Sequence, residues 1–230
     1  AAHLLDLSFT QKEIDSMYDG VKENMLLYRL MHKKSLNNNV PMSLWQSPVL
    51  PGMQFNNKQE KINWNISSKV SLPANINDLA FYNILQLASL IKNKKISSVE
   101  LTKFFIDRIR RFGDTLQCVI SVTEEIALQQ ARQADAEIAA GKYRGPLHGI
   151  PYGLKDLFAV KGTKTTWGSA PYKNQVIEQD AFVYTQLQNA GAVLVAKFTL
   201  GALAMGDYWY GGRTKNPWNL QTGSSGSSAG

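Results

Sequence analysis

A strand, a helix and a second strand follow one another between residues 150 and 196, and that order constrains the fold more than any other feature of the chain. Ile150 to Val160 reads as a strand, broken by glycine and proline at its start. Ala181 to Ala190 has helical patterning, and Gly191 is placed to cap it. Ala192-Val193-Leu194-Val195-Ala196 is then a continuous apolar run of the length expected of a buried strand. Two strands joined through a helix at this spacing form a parallel crossover unit, which predicts an α/β fold whose sheet is covered by helices.

The upstream sequence adds helices to this unit. Thr10-Gln11-Lys12-Glu13 is a capping box, in which a threonine hydroxyl and a glutamate three residues on satisfy free helix N–H groups. Apolar residues recur at Ile14, Met17, Tyr18, Val21, Met25 and Tyr28, predicting a helix over about 10–33. Asn37-Asn38-Asn39 ends it, and prolines at 41, 48 and 51 hold the next segment extended. Residues 53–75 are polar and weakly patterned, so residues 1–72 read as a helical extension and proline-rich strap on a main domain over 73–230. Within that domain a helix is expected over about 79–93, and a second capping box, Ser97 to Glu100, opens a helix to about Arg111. A short strand around Cys118 follows, then a helix from Glu124 to Ala140 that stops at Gly141.

Composition removes several function classes. Hydrophobic residues make up 44% and charged residues 19%, which suits a packed core and not a disordered chain. No stretch approaches eighteen consecutive apolar residues, so no transmembrane helix is expected. The net charge of +7 could suggest nucleic acid, but the basic residues are scattered, with short clusters at Lys92 to Lys95 and Arg108 to Arg111 that read as solvated helix faces. Without a zinc-finger spacing, an RNP motif or a long basic helix, no nucleic-acid partner is expected. The single cysteine, Cys118, forbids an internal disulfide and reads as core. His3, His32 and His148 are too scattered to suggest zinc, so no metal site is expected. Ala1 in place of methionine fits a removed leader or a trimmed start, which leaves the compartment open between cytoplasmic and exported.

The residue most suggestive of chemistry is Lys155, in His148-Gly149-Ile150-Pro151-Tyr152-Gly153-Leu154-Lys155-Asp156-Leu157-Phe158. Lysine in mid-strand among apolar residues is unusual, because lysine is almost never fully buried without a partner. Strand side chains alternate faces, so Asp156 should point away from it. Desolvation favours the neutral amine, a proton acceptor; the competing reading is an ammonium that reaches the surface along its apolar stem. Lys197 also ends a strand, and at what reads as an exposed end. A lysine base needs a partner with a mobile proton, and the serines of Thr222-Gly223-Ser224-Ser225-Gly226-Ser227-Ser228-Ala229-Gly230 suit that role, although such a string is also a common linker.

Taken together, these residues resemble the amidase signature family of serine hydrolases. The matching segments are Gly149-Ile150-Pro151 through Lys155-Asp156, Gly162 to Ser169, Asp180-Ala181 into Ala190-Gly191-Ala192, Met205-Gly206, Asn216-Pro217-Trp218-Asn219, and the Gly/Ser run. Their order and spacing match over roughly 77–230. The resemblance implies a mixed sheet flanked by helices, incomplete in this chain, and a Ser-cisSer-Lys triad with Lys155 as its base. Counting without a gap from the Asn-Pro-Trp motif makes Ser227 the bridging serine, whereas a three-residue deletion would make it Ser224. It further places Met205, Gly206 and Asp207 along a substrate channel, with Tyr208, Trp209 and Tyr210 open to either an aromatic pocket or core packing.

The family's nucleophilic serine and oxyanion donors fall beyond Gly230, so the expectation is a base-and-relay half that does not turn over substrate alone. Its partner would be the remaining C-terminal part of the enzyme, in the same or a companion chain. The implied activity is hydrolysis of a small-molecule or peptide amide through an acyl-enzyme, without a cofactor. Two other readings stay open. One is a non-catalytic family member that binds only. The other is an α/β-hydrolase esterase using Ser228 at the centre of Gly226-Ser227-Ser228-Ala229-Gly230, which would need a strand running straight into that turn.

Overall fold

The computed structural model describes residues 7–40, 42–44, 46–60 and 62–230. Ala1, His3 and Pro41 lie outside the described residues. The chain divides into two units, Ala1–Pro51 and Gly52–Gly230.

In the first unit, helix α1 spans Gln11–His32 and carries the capping box at Thr10, whose hydroxyl accepts from Glu13 N–H while Thr10 N–H donates to Glu13 Oε2 at 2.8 Å. The reciprocal pair satisfies two otherwise free groups at the helix start. Every described residue of this unit is exposed, including the apolar face of α1.

The second unit contains the predicted crossover. Strand β1 (Val119–Val122), β2 (Pro151–Lys155) and β3 (Val193–Phe198) form one sheet in the order β1-β3-β2. β3 runs antiparallel to β1 and parallel to β2, with helix α5 (Phe182–Asn189) in the crossover between β2 and β3. Alternation along β3 sorts its side chains to the two faces. Val193 and Val195 pack with Ile106 of α3 (Ser98–Leu116) and Ala127 and Ala131 of α4 (Glu124–Ala139). Leu194 packs on the opposite face with Leu154, Val160 and Tyr184 of α5. Burial on both faces explains why this strand reads as an unbroken apolar run. A third cluster, built on Leu87, Leu90 and Ile91 of α2 (Ile84–Lys92), closes one end with Leu101, Ile138 and Ile150. Residues 66–70 lie along this end: Ile66 and Val70 pack against it, Ser89 Oγ donates to Ser67 O, and Lys95 Nζ donates to Val70 O.

Four expected boundaries shift for local reasons. The helix expected over 79–93 is split into a 3-10 turn, Ile76–Phe81, and α2, because Asn83 forms its own capping box with Gln86. α3 runs on to Leu116, where Gln117 takes a left-handed conformation at φ 51° and ends it. The strand expected around Cys118 consequently starts only at Val119. β2 stops at Lys155, since Phe158 N–H bonds back to Lys155 O at 3.1 Å and turns the chain. Beyond β3, three short ribbon strands β4 (Tyr208–Trp209), β5 (Gly212–Arg213) and β6 (Lys215–Asn216) lead to β7 (Asn219–Gly223) and the Gly/Ser loop.

Candidate active site

Lys155 is the last residue of β2, level with Phe198 at the end of β3. The carboxyl ends of parallel strands are where open α/β sheets leave a crevice for ligands. The Gly/Ser loop is tied to this edge at both ends. Ser224 N–H donates to Thr214 O at 2.9 Å, and Gly230 N–H donates to Thr199 O at 3.0 Å. Between these ties the Gly226–Ser227 peptide bond is cis, and Lys155 Nζ donates to Ser227 Oγ at 2.9 Å. Both side chains are half-buried, so Lys155 is not enclosed by the described residues to the degree a mid-strand lysine suggests. Ser224, the other serine considered as the bridge, instead donates its Oγ to Ala229 O at 2.9 Å. Ser228 is exposed, and the segment before it is not a core strand but β7, paired antiparallel with β6 in a two-stranded ribbon. Among the described residues, no group of three or more His, Cys, Asp or Glu side chains could hold a metal ion.

Asp156 does point away from Lys155, and its partner corrects the reading of Lys197. Lys197 is fully buried, with its Nζ 2.8 Å from Asp156 Oδ1 and donating to Lys164 O at 3.1 Å. Asp156 Oδ2 accepts from Thr166 N–H at 2.8 Å and from the Thr166 hydroxyl. Burial lowers the Lys197 pKa, and the Asp156 carboxylate works against that. The strand end that looked exposed is roofed by the loop carrying Lys164, Thr165 and Thr166, which sequence spacing did not reveal. A lysine inside an otherwise wholly buried run was the available signal, since burial of its charge requires a partner.

The residues assigned to a substrate channel take different positions. Met205 is 77% exposed, and Gly206 is exposed beside it. Asp207 is buried, accepts from Arg213 Nε at 3.2 Å through Oδ1, and accepts from Ser225 N–H at 3.2 Å through Oδ2. Burial opposes its ionisation, but the Arg213 guanidinium and the Ser225 amide outweigh burial and hold its pKa below the ordinary value. Tyr208 lays its ring against the Arg213 guanidinium, 4.9 Å away, while Trp209 and Tyr210 pack edge to face on each other at 4.9 Å. Neither Arg213 nor the engagement of Asp207 could be read from spacing, because both depend on how the β4–β5 turn meets the loop.

Another titratable cluster gathers around Glu137. Arg144 donates through Nε to Glu137 Oε2 at 2.6 Å and through its second terminal nitrogen to Oε1. The buried His148 accepts from Arg144 N–H through Nδ1 at 3.1 Å, with Nε2 3.3 Å from Glu137. Burial lowers the His148 pKa, which favours the neutral imidazole, and the Glu137 carboxylate works against that. Cys118 is half-buried, and burial pushes its thiol pKa up, which suits packing and not nucleophilic chemistry.

These features define the class: an α/β protein of amidase type with a lysine–serine contact at the carboxyl edge of its sheet. The chain belongs to the amidase (amidase signature) family, whose family model matches residues 100–230. It is 45% identical over 150 residues to the A subunit of glutamyl-tRNA(Gln) amidotransferase from Coxiella burnetii (strain Dugway 5J108-111), a match covering 64% of this chain and 31% of the relative. Identity to the corresponding protein of Methylococcus capsulatus is 42%, again over 64% of this chain and 31% of the relative. The fold is similar to the native peptide amidase from Stenotrophomonas maltophilia, with a TM-score of 0.62 and 30% identity over 66% of this chain and 33% of that one. It is also similar to a fatty acid amide hydrolase, with a TM-score of 0.61 and 29% identity over 66% of this chain and 28% of that one. The chain therefore spans about a third of the length of the relatives it matches. Among the described residues, no helix is long and apolar enough to cross a membrane.

Proposed function

We propose that this chain supplies the base and the bridging serine of a site that hydrolyses an amide carbon–nitrogen bond through an acyl-enzyme. The observation that carries this reading is the 2.9 Å contact between Lys155 Nζ and Ser227 Oγ. With the amine neutral, the same contact reverses direction: Ser227 gives its hydroxyl proton to Lys155 and takes one from a nucleophilic serine. That serine attacks the amide carbonyl, and the tetrahedral intermediate collapses with loss of the amine. The proton returns from Lys155 through Ser227 to the leaving nitrogen, and water releases the acyl group by the same relay run again. Activation of one hydroxyl through another is the logic of a catalytic triad with lysine in the place of histidine.

The nucleophile and its oxyanion donors are assigned to no residue between 1 and 230; we place them in a C-terminal portion, in the same or a companion chain. Without it the 230 residues should not turn over substrate. We also put Met205 and Gly206 along the substrate channel, as the family resemblance implies. The substrate class is an amide of a small molecule or peptide, as the names of the peptide amidase and fatty acid amide hydrolase relatives suggest. Residues 73–230 are read as amidase domain and 1–72 as an extension, a division that contains the whole family match.

The test is phosphonylation of the full-length protein with a fluorophosphonate, followed by peptide mass spectrometry. An adduct on a serine outside Ser224 to Ser228, lost in Lys155→Ala and Ser227→Ala, supports the relay. An adduct within Ser224 to Ser228 makes one of those serines the nucleophile and removes Ser227 from the bridging role.

A further inference from the structure

We propose that Asp207 is a positioning residue, not a substrate contact: its carboxylate seats the loop that carries Ser227 where Lys155 can reach it. This rests on the Lys155–Ser227 reading of the site.

Both carboxylate oxygens already accept a hydrogen bond. Oδ1 accepts from Arg213 Nε and Oδ2 from Ser225 N–H, each at 3.2 Å. The backbone repeats the link, since Thr214 N–H donates to Asp207 O at 3.1 Å and Ser224 N–H donates to Thr214 O at 2.9 Å. Residues 207, 213–214 and 224–225 are thus fastened in series, and Ser227 is two residues further on. The fit is close enough to exclude side chains. A Cβ on Gly223 would stand 1.7 Å from Asp207 Oδ2 and 2.3 Å from Arg213 Nε, and one on Gly226 would stand 1.9 Å from Gly206 O. Ser225 itself holds a left-handed backbone, φ 72°, which a non-glycine residue adopts at a cost and keeps only where its surroundings fix it. The charge-assisted bond from its N–H to Asp207 is the direct means of fixing it. Asp207 is buried, and each of its carboxylate oxygens already accepts a bond from the protein itself.

Asparagine at this position keeps the shape but must turn an NH2 donor toward either Arg213 or the Ser225 N–H, so it breaks one of the two bonds. In the full-length protein we expect Asp207→Asn to lower kcat about 10- to 100-fold with KM within twofold, as a small misplacement of a catalytic group does. Hydrogen exchange of segment 223–230 should quicken in the same variant while the sheet stays protected. Arg213→Met, at a partly buried side chain, should give a smaller loss of the same kind, and it keeps the question answerable if Asp207→Asn does not fold. A raised KM at unchanged kcat would make Asp207 a substrate contact and overturn the proposal. So would unchanged exchange of segment 223–230. If Lys155→Ala and Ser227→Ala themselves leave kcat intact, the underlying reading fails, an outcome that the Asp207 variants alone cannot produce.

Discussion

Lys155 Nζ and Ser227 Oγ meet at 2.9 Å although 72 positions separate the two residues. If the pair works as one relay, losing either member should cost nearly as much as losing both, because residues that act as a unit are grossly non-additive. Lys155→Ala and Ser227→Ala should each lower kcat for amide hydrolysis by on the order of 10³-fold or more, and the double variant should add little. Ser224→Ala, which removes bonds to Ser225 O and Ala229 O and none to Lys155, should change kcat far less. Steady-state kinetics on the full-length protein decide it; two single losses that multiply in the double variant would show independent roles.

Asp156 and Lys197 form the other lysine contact of this sheet edge, and their burial predicts the opposite pattern, in stability. Removing one member leaves an uncompensated charge among buried groups, so Asp156→Asn or Lys197→Met should each destabilise by about 3–5 kcal/mol. Removing both leaves no charge to strand, so the double variant should be more stable than the worse single one. Urea unfolding midpoints measure this. A double variant whose loss equals the sum of the two singles would mean that the pair is not coupled.

The contrast between these two lysines shows what was legible in the sequence. The crossover unit was legible because its determinants are local: the apolar run Val193–Val195, the cap at Gly191 and the helical pattern before it all lie within a few residues. Lys155 stands out for the same reason, as a charge in an apolar run that reads as mid-strand, although β2 ends on it. Ser227 needed the register of the Asn-Pro-Trp motif, since the doubled Gly-Ser-Ser offers two frames. The partners of Asp156 and Asp207 were not legible. Each depends on a loop arriving from elsewhere, Lys164 to Thr166 over Lys197 and Ser225 over Asp207, and no periodicity encodes where a loop lands. Lys197 reads as exposed because it ends a strand, whereas the covering loop sets its burial.

Acid should weaken the fold in two stages, through the cluster at Glu137 and His148. The His148 pKa is pushed below its ordinary value of 6.5 by burial, so the unfolded chain takes up that proton first and stability falls as pH drops below about 6.5. The hydrogen bonds from Arg144 hold Glu137 down to about 2, so its contribution is present above its ordinary value of 4.5 and is lost as pH falls toward 2. At pH 7, Glu137→Gln should lower Tm by on the order of 5 °C. That gap should narrow below pH 4.5, where the parent carboxylate is itself being protonated in the unfolded chain. Thermal melts of parent and variant from pH 7 to pH 3 test it; a gap that does not change with pH would mean that the Arg144 contact carries no charge-dependent stability.

Two glycines with nearly the same backbone separate conformational strain from steric conflict. Gly191 and Gly141 both follow helices, with φ of 82° and 81°. A left-handed residue other than glycine costs about 1–2 kcal/mol from its own Cβ. At Gly141 nothing lies within 4 Å of that Cβ, so Gly141→Ala should lose that amount and no more. At Gly191 the added carbon would stand 2.4 Å from His148 Cδ2 and 3.2 Å from Arg144 Cδ. His148 cannot easily yield, because it is buried and holds Arg144 N–H through Nδ1. Overpacking there should add about 1–3 kcal/mol to the backbone cost. Gly191 O also accepts from Gly149 N–H at 2.8 Å, so displacement would be felt at the entry to β2, the strand that ends in Lys155. Denaturant unfolding of the two alanine variants gives the comparison directly. Gly191→Ala should be the less stable of the two by the overpacking amount, and His148→Ala in the same chain should recover part of it. Equal losses at the two sites would show that the imidazole moves aside freely, and that Gly191 is kept for its backbone angle alone.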